Sequence, residues 1–413
     1  MKKRLAAFIT GALLLAASGL AAGAEGPALS GWVRSHTGLL LSADPGYAVL
    51  QNAFSLSFEQ KSDRLAFKVN PFARLDLDQP LEIGLREAYL DLYFDSLQLR
   101  IGQQQIIWGK GEGVFITDVV SPKDLRSFIL PDFTEVRLGI PALRADYYLG
   151  GSTFELVLVP LFVPSRSPEP GSLWYLAPSF PVPPTLHPAV EPAAELENGE
   201  IFARWSWLGA ALDFELMGGL MWDDEPALHL ARTIDSGTGQ VTAIDVQPRY
   251  HRLALAGGSF STTLAGAVLR AEGAFYSGKR LATTAPTDAD GLVEKNYLHY
   301  LAGLDFSLAG LQLSAQLVQR VILDYEEPIV QDRFDTTATL RVSDTLLRDT
   351  LRLELFAYLG LNDWDALLRP KLSWAAADGL EISAGADLFL GDEGTFGRFD
   401  GNDQAYLKAK VSF

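Results

Sequence analysis

The sequence predicts an all-β chain folded as a transmembrane antiparallel β-barrel of about 18 strands, with about 16 as the alternative count. Short periplasmic turns and long outer loops are expected to join them. Three observations carry the prediction. Apolar and polar residues alternate through most of the 413 residues. The connections between these segments are short and long by turns. The chain also ends in a two-sided strand. There Ala405, Leu407, Ala409, Val411 and Phe413 share one face, and Tyr406, Lys408, Lys410 and Ser412 share the other. A period of two with one greasy and one ionic side suits a wall between lipid and water.

At the other end, Lys2, Lys3 and Arg4 precede a mostly apolar stretch from Leu5 to Leu20, and Ala22-Gly23-Ala24 offers a small-residue cleavage site. Residues 1–24 are therefore expected to be a signal peptide, leaving 25–413 as a single barrel. The apolar run is short for a helical anchor, and no later stretch is long and apolar enough to cross a bilayer as a helix.

Strands are expected near 29–41, 50–59, 63–77, 83–95, 96–106, 140–150, 151–162, 200–208 and 209–222 in the first half. The second half adds 247–260, 261–278, 295–308, 309–323, 335–346, 348–360, 366–376, 377–390 and 404–413. Leu65, Phe67, Val69, Ala73, Leu75 and Leu77 alternate with Lys68, Asn70, Arg74 and Asp76. Leu351, Leu353, Leu355, Ala357 and Leu359 face away from Arg352 and Glu354. Runs of about ten residues fit tilted membrane strands. Tight turns fall at Asp95-Ser96, Gly150-Gly151, Leu208-Gly209, Ala309-Gly310 and Asp378-Gly379, on the side that carries both termini. The opposite connections are longer, above all 107–139 and 163–199. Trp32, Trp108, Trp205, Trp207, Trp222, Trp364 and Trp374 are expected mostly at strand ends or on outward registers, as interfacial girdles.

Composition narrows the class. Without Lys2, Lys3 and Arg4 the chain carries 31 basic and 51 acidic residues, a net charge of −20, which argues against nucleic-acid binding. There is no cysteine, so neither disulfides nor thiolate metal sites hold it together. A soluble β-sandwich would alternate too, but its apolar faces would turn to one core; here nearly every strand has such a face with charges opposite. No GxSxG motif is present, and His36, His187, His229, His251 and His299 form no recognisable pair with a nucleophile, so an enzyme is not expected.

By parity the inner face carries Arg74, Arg100, Arg352, Glu354 and Lys371 among many other ionisable residues, which only a wet or polar lumen tolerates. They are candidates for setting solute preference; the plainer reading is that they pair across strands and stiffen the wall. Within 107–139, Lys110, Glu112, Lys123, Asp124, Arg126, Asp132, Glu135 and Arg137 are candidates for a constriction. Ser121 reads as an N-cap, Pro122 as the first helical residue and Asp124 as the acid of a capping-box variant, placing a short helix there. The alternative is a surface flap. The proline-rich 163–199 loop suits an extended lid or a partner-facing arm. Acidic outer loops are read as solvated, with divalent cations shared with lipopolysaccharide as the alternative. Asp288-x-Asp290-Gly291 and Asp400-Gly401-Asn402-Asp403 complete no calcium spacing, so no metal or other cofactor is expected.

Gly102-Gln103-Gln104-Gln105-Ile106-Ile107-Trp108-Gly109-Lys110-Gly111-Glu112, followed by Val119-Val120-Ser121-Pro122-Lys123-Asp124-Leu125, resembles a segment of proteobacterial outer-membrane proteins. That set comprises a large uncharacterised porin-like family and the alginate-export-like barrels. The resemblance covers roughly 98–145; Lys110 stands where an acid is common and Ser121 where Asn is common. It implies an outer-membrane channel, with export or uptake of a polymer or hydrophobic compound as a variant. The last strand also resembles the C-terminal signal read by the barrel-assembly machinery.

The expected function is passive, solute-selective passage of small polar or charged molecules across the bacterial outer membrane, with membrane lipid and lipopolysaccharide as surroundings. A plugged, surface-exposed structural or adhesive barrel is the alternative. A third reading, lateral escape of an apolar compound into lipid, needs a gap in the wall near Pro71 or Pro160, where proline removes a ladder donor.

Overall fold

The computed structural model describes residues 26–42, 46–76 and 79–413; the expected signal peptide lies outside the described residues. Eighteen strands form the wall. The first half comprises β1 (Ala28–Leu40), β2 (Tyr47–Lys61), β3 (Leu65–Leu75), β4 (Glu82–Tyr93), β5 (Leu97–Gln104), β6 (Ile140–Leu149), β7 (Ser152–Val159), β9 (Glu200–Leu208) and β10 (Leu212–Trp222). The second comprises β13 (Arg252–Leu264), β14 (Ala267–Ala282), β15 (Leu292–Leu308), β16 (Leu311–Ile322), β17 (Phe334–Leu346), β18 (Leu351–Gly360), β19 (Asp365–Ala377), β20 (Leu380–Leu390) and β21 (Gln404–Ser412). Each pairs antiparallel with its neighbour in the wall. β1 closes the cylinder against β21, from Trp32 opposite Ser412 to Leu40 opposite Gln404. Closure leaves no sheet edge, the condition for burying a sheet in hydrocarbon. This is the closed antiparallel barrel of about 18 strands that the alternation predicts.

Parity is visible residue by residue. Leu216 is 53% exposed on the outer face, whereas Met217 beside it is 6% exposed and points inward. Val33, Leu317, Leu355, Leu407 and Val411 belong to the same apolar exterior. Trp205 joins it, stacked on Phe154 and edge-on to Phe214. Two tryptophans depart from the expected girdle. Trp108 is buried inside the barrel. Trp32 faces the lumen beneath Arg34 and Lys410.

Two expected elements are relocated. The strand expected at 247–260 is two elements, because β11 (Ala227–Ile234) and β12 (Val241–Arg249) form a hairpin outside the wall and β13 begins only at Arg252. With β8 (Pro184–Leu186) they make a separate three-stranded sheet on the outer side. Alternation runs through both pieces, so period alone cannot tell a rim hairpin from a wall strand. β8 also draws part of the proline-rich loop into that sheet. The helix expected at Ser121 is absent: Lys123 and Asp124 bridge to Arg137 and Arg166 instead. The short helix of this segment is α1 (Phe133–Val136). Ser121 Oγ accepts from Ile106 N–H at 2.8 Å, so a tertiary donor takes the hydroxyl the cap would have used.

The wall is paired at Pro71. The β3–β4 register shifts at Asn70/Pro71, and the Asn70 amide donates to Ser55 Oγ at 3.0 Å and to the Leu56 carbonyl. Pro160 lies just past the end of β7, whose last residue, Val159, pairs with Glu200.

Candidate functional site

The segment 105–139, between β5 and β6, folds into the barrel and is tied to the wall around most of its circumference. Trp108 begins the crossing. Its indole N–H donates to Glu155 at 2.7 Å, its ring meets Phe202 edge-on, and Arg204 lies over its face. Ile106, Ile116 and Val120 follow into an apolar cluster with Val157, Met217, Met221, Leu255, Tyr276 and Val318 of the wall. Interior-facing apolar residues on β6–β16 thus become a core only because this segment supplies the other half.

Glu272 of β14 anchors the tip. Its Oε2 accepts Lys110 N–H at 2.6 Å and Gly111 N–H at 3.0 Å, and its Oε1 accepts Thr117 N–H at 2.7 Å and Thr117 O–H at 2.6 Å. Four donors on one buried carboxylate make a strong charge-assisted node. Gly109 (φ +85°) and Gly113 (φ +80°) bracket the tip in left-handed conformations that side chains other than glycine rarely adopt. Gln316 of β16 accepts Glu112 N–H at 2.9 Å and donates to its carbonyl at 2.6 Å. Tyr358 of β18 donates to Gly113 O at 3.0 Å, and Arg369 of β19 to Leu130 O at 2.7 Å. On β1, Arg34 grips Glu135 at 2.7 and 2.9 Å. The segment thus lies against the inner face of the wall.

Two cavities flank the crossing. One of about 810 Å³ lies beneath the tip and reaches the short-turn side, lined by Lys110, Glu112, Arg270, Asp305, Arg341 and Arg352 among others. The other, about 450 Å³, lies against β1–β4 and includes Arg34, Arg74, Glu82, Asp124, Glu135 and Arg166. Arg137 lines both. It is fixed by Asp118, at 2.7 Å from Nε and 2.6 Å from Nη2, and donates to Phe133 O at 2.8 Å. The Arg137–Asp118 pair therefore forms part of the partition between the two spaces.

The residues singled out in the sequence divide into groups. Arg74, Asp124 and Arg126 meet at the outer mouth with Glu82 and Arg166. Arg126 reaches Asp124 at 2.8 Å and Glu82 at 2.9 Å, Arg74 reaches Glu82 at 2.9 Å, and Arg166 reaches Glu82 at 2.6 Å. Lys123 is buried and donates to Asp118 O, which ties it to the partition. Asp132 faces Lys371, Lys408, Arg34 and Arg369. Arg352 meets Glu354 at 3.1 Å, and Glu354 also takes Arg341 at 2.9 Å. Arg100 stands apart. Both its bonds, 2.8 and 2.9 Å, go to Asp91 on the neighbouring strand, and its guanidinium sits 3.8 Å from the Tyr89 ring centre. It is a wall pair, away from the crossing. Site-directed reading of the sequence missed Glu272, Gln316, Glu82 and Arg166; only their inward parity or loop position marked them.

Outside the wall, His229 and His251 bring their Nε2 atoms within 2.8 Å, and His229 Nδ1 lies 2.9 Å from Asp290. The Asp290 carboxylate is thus engaged by histidine, and Asp403 accepts Phe389 N–H at 2.6 Å.

Solved structures share this architecture. Acinetobacter baumannii OccAB1 superposes with a TM-score of 0.55 at 9% identity, covering 94% of this chain and 97% of that one. Pseudomonas aeruginosa OccD3 (OpdP) gives 0.55 at 10% identity, covering 95% and 92%. Pseudomonas aeruginosa OccK2 (OpdF), solved in complex with glucuronate, gives 0.54 at 11%, covering 95% and 99%. The barrel thus has the fold of outer-membrane porins. No curated protein matches the sequence. A family match spans residues 44–377, and the chain belongs to that family, described as "Protein of unknown function (DUF1302)".

Proposed function

We propose that this barrel is a porin-like channel giving passive passage to small polar or charged solutes, with the 105–139 segment setting the bore. The observation that carries the reading is the pair of charged cavities that meet at Arg137, one on each side of a segment tied to both arcs of the wall. Ionisable groups at this density within a membrane barrel call for water around them. Selectivity would come from the guanidinium-rich lining beside the crossing. Insertion would proceed through the β21 strand and the barrel-assembly machinery, into a bilayer that includes lipopolysaccharide.

A second reading has its own support. Trp174, Phe128, Phe389, Phe396 and Phe399 pack into one aromatic cluster where the proline-rich loop meets β20, and Asn402 donates to Leu173 O at 2.6 Å. That cluster covers part of the outer mouth, as a plugged surface barrel would require. Planar-bilayer recording of the purified protein separates the two. Steady current that rises several-fold when residues 112–137 are trimmed supports the channel. Absence of current at every voltage, with the barrel folded, overturns it in favour of the plug.

A further inference from the structure

The cavity beneath the tip is lined by four carboxylates, of which the wall residue Asp305 meets Arg270 at 3.0 Å and only Glu112, on the crossing segment, is shared between two wall guanidinium groups. Glu272 is saturated by three backbone N–H groups and a hydroxyl. Asp118 is buried and takes both Arg137 and the Trp108 N–H, the latter at 3.3 Å. Glu112 is partly exposed to the cavity, and its carboxylate is held by wall guanidinium groups alone among the described contacts. Arg341 Nη1 bonds Oε1, and Arg270 Nη2 lies 3.5 Å from Oε2. The backbone of Glu112 is held separately by Gln316. The side chain can therefore leave while the peptide stays in place.

The two arginines are themselves aimed from the wall. Arg270 on β14 is oriented by Ser314 Oγ at 2.8 Å and Asp305 at 3.0 Å. Arg341 on β17 is oriented by Glu354 at 2.9 Å. Lys110 lines the same cavity, and its ammonium group meets Ser261 Oγ at 3.2 Å. Remove the Glu112 carboxylate from this arrangement and what remains is a preset pair of guanidinium groups with a third cation nearby. Guanidinium forks match planar carboxylates in shape as well as charge.

We propose that the space between Arg270 and Arg341 is a binding subsite for the carboxylate of a solute, and that Glu112 is its resident competitor. A small carboxylate entering the cavity of about 810 Å³ exchanges with the Glu112 side chain, and a second acidic group on the same molecule falls to Lys110 or Arg352. No covalent step is involved. The proposal deepens the channel reading and rests on it for its physiological meaning, but the binding itself requires no current.

The test is equilibrium titration of the full barrel in detergent at low salt with succinate, and with succinamide as the uncharged counterpart. The wild type binds succinate and not succinamide. Glu112→Gln, which keeps the shape and removes the competing charge, tightens succinate binding at least tenfold. Arg270→Gln with Arg341→Gln weakens it at least tenfold, with folding verified by heat-modifiable migration. If the double variant does not fold, Arg341→Lys keeps the charge, loses the fork and weakens succinate several-fold. Equal succinate affinity in wild type and Glu112→Gln overturns the proposal, and so does equal binding of succinate and succinamide. If the predicted ranking appears but no variant conducts, the subsite stands and the channel reading falls. If the barrel conducts without the ranking, the reverse holds.

Discussion

The two arcs of the lumen are weighted toward opposite principles. Along β6–β16, inward residues such as Val157, Phe202, Met217 and Leu255 are apolar and close on Ile106, Trp108, Ile116 and Val120 of the crossing segment. Along β1–β5 and β17–β21, inward residues are Arg34, Arg74, Arg341 and Arg369, and they reach the same segment through carboxylates and carbonyls. The first arc carries a protein core inside the barrel, with Arg270, Glu272 and Gln316 set into it as polar anchors. The second carries a lattice of charges, beside which Tyr358, Leu367 and Phe389 form a smaller apolar cluster with Leu130 of the crossing. The crossing is thus seated on one side by burial, which is non-directional. On the other side it is positioned by directed ionic contacts, which salt and solutes can contest.

That contrast is broken most severely at the ionic node set within the apolar arc, Glu272 of β14. Glu272→Ala leaves the N–H groups of Lys110, Gly111 and Thr117 and the Thr117 hydroxyl without their acceptor. Each buried orphaned donor costs about 1–3 kcal/mol, which weakens the seating of the segment against the wall. The expected outcome is a several-fold rise in single-channel conductance with the barrel still closed, together with a lowered thermal midpoint in detergent. Unchanged conductance and midpoint would show that the apolar arc seats the crossing without this node.

The partition gives a sharper, smaller test. Arg137→Gln removes the cation that lines both cavities and frees Asp118, so conductance should rise about two- to threefold and permeability should shift toward cations. Arg100→Gln is the matched control. Its partner Asp91 is on the adjacent strand, away from the crossing, and the change should leave conductance and selectivity within about 20% of wild type. Equal effects of the two substitutions would mean that lumen charge acts as a whole and not through the partition.

The wall was legible because its code is local. Alternation at Leu351–Leu359 or Leu380–Leu390 needs no knowledge of what lies across the barrel, and the short turns punctuate it. The same locality explains the misreadings. The β11–β12 hairpin alternates like a wall strand, and nothing nearby says that it stands outside the wall. Ser121, Pro122 and Asp124 satisfy a helix start, yet Ser121 serves Ile106 and Asp124 serves Arg126. For the crossing, its ionic residues were visible as a cluster, while its anchors were not. Thr117 and Glu272 are 155 positions apart, and only the closed cylinder brings them together.

The smallest expected effect lies outside both arcs and asks whether the rim hairpin is independent of them. His229 and His251 face each other at 2.8 Å between β11 and the start of β13, with Asp290 on the far side of His229. Burial holds His251 below its ordinary value, helped by the facing His229, Arg280 and Arg249 and opposed by Asp290. A base depressed in the folded state takes its proton later than in the undocked state. The docking stability it contributes is therefore complete above the ordinary histidine value of about 6.5 and is lost progressively as pH falls below it. Hydrogen exchange over residues 227–251, corrected for intrinsic rates, should lose protection between pH 7.5 and 5.5 while β14 and β16 keep theirs. His251→Gln should flatten that dependence. A parallel loss in β14 would instead tie the hairpin to the crossing segment, since Glu272 lies on that strand, and would merge the rim with the lumen as one cooperative unit.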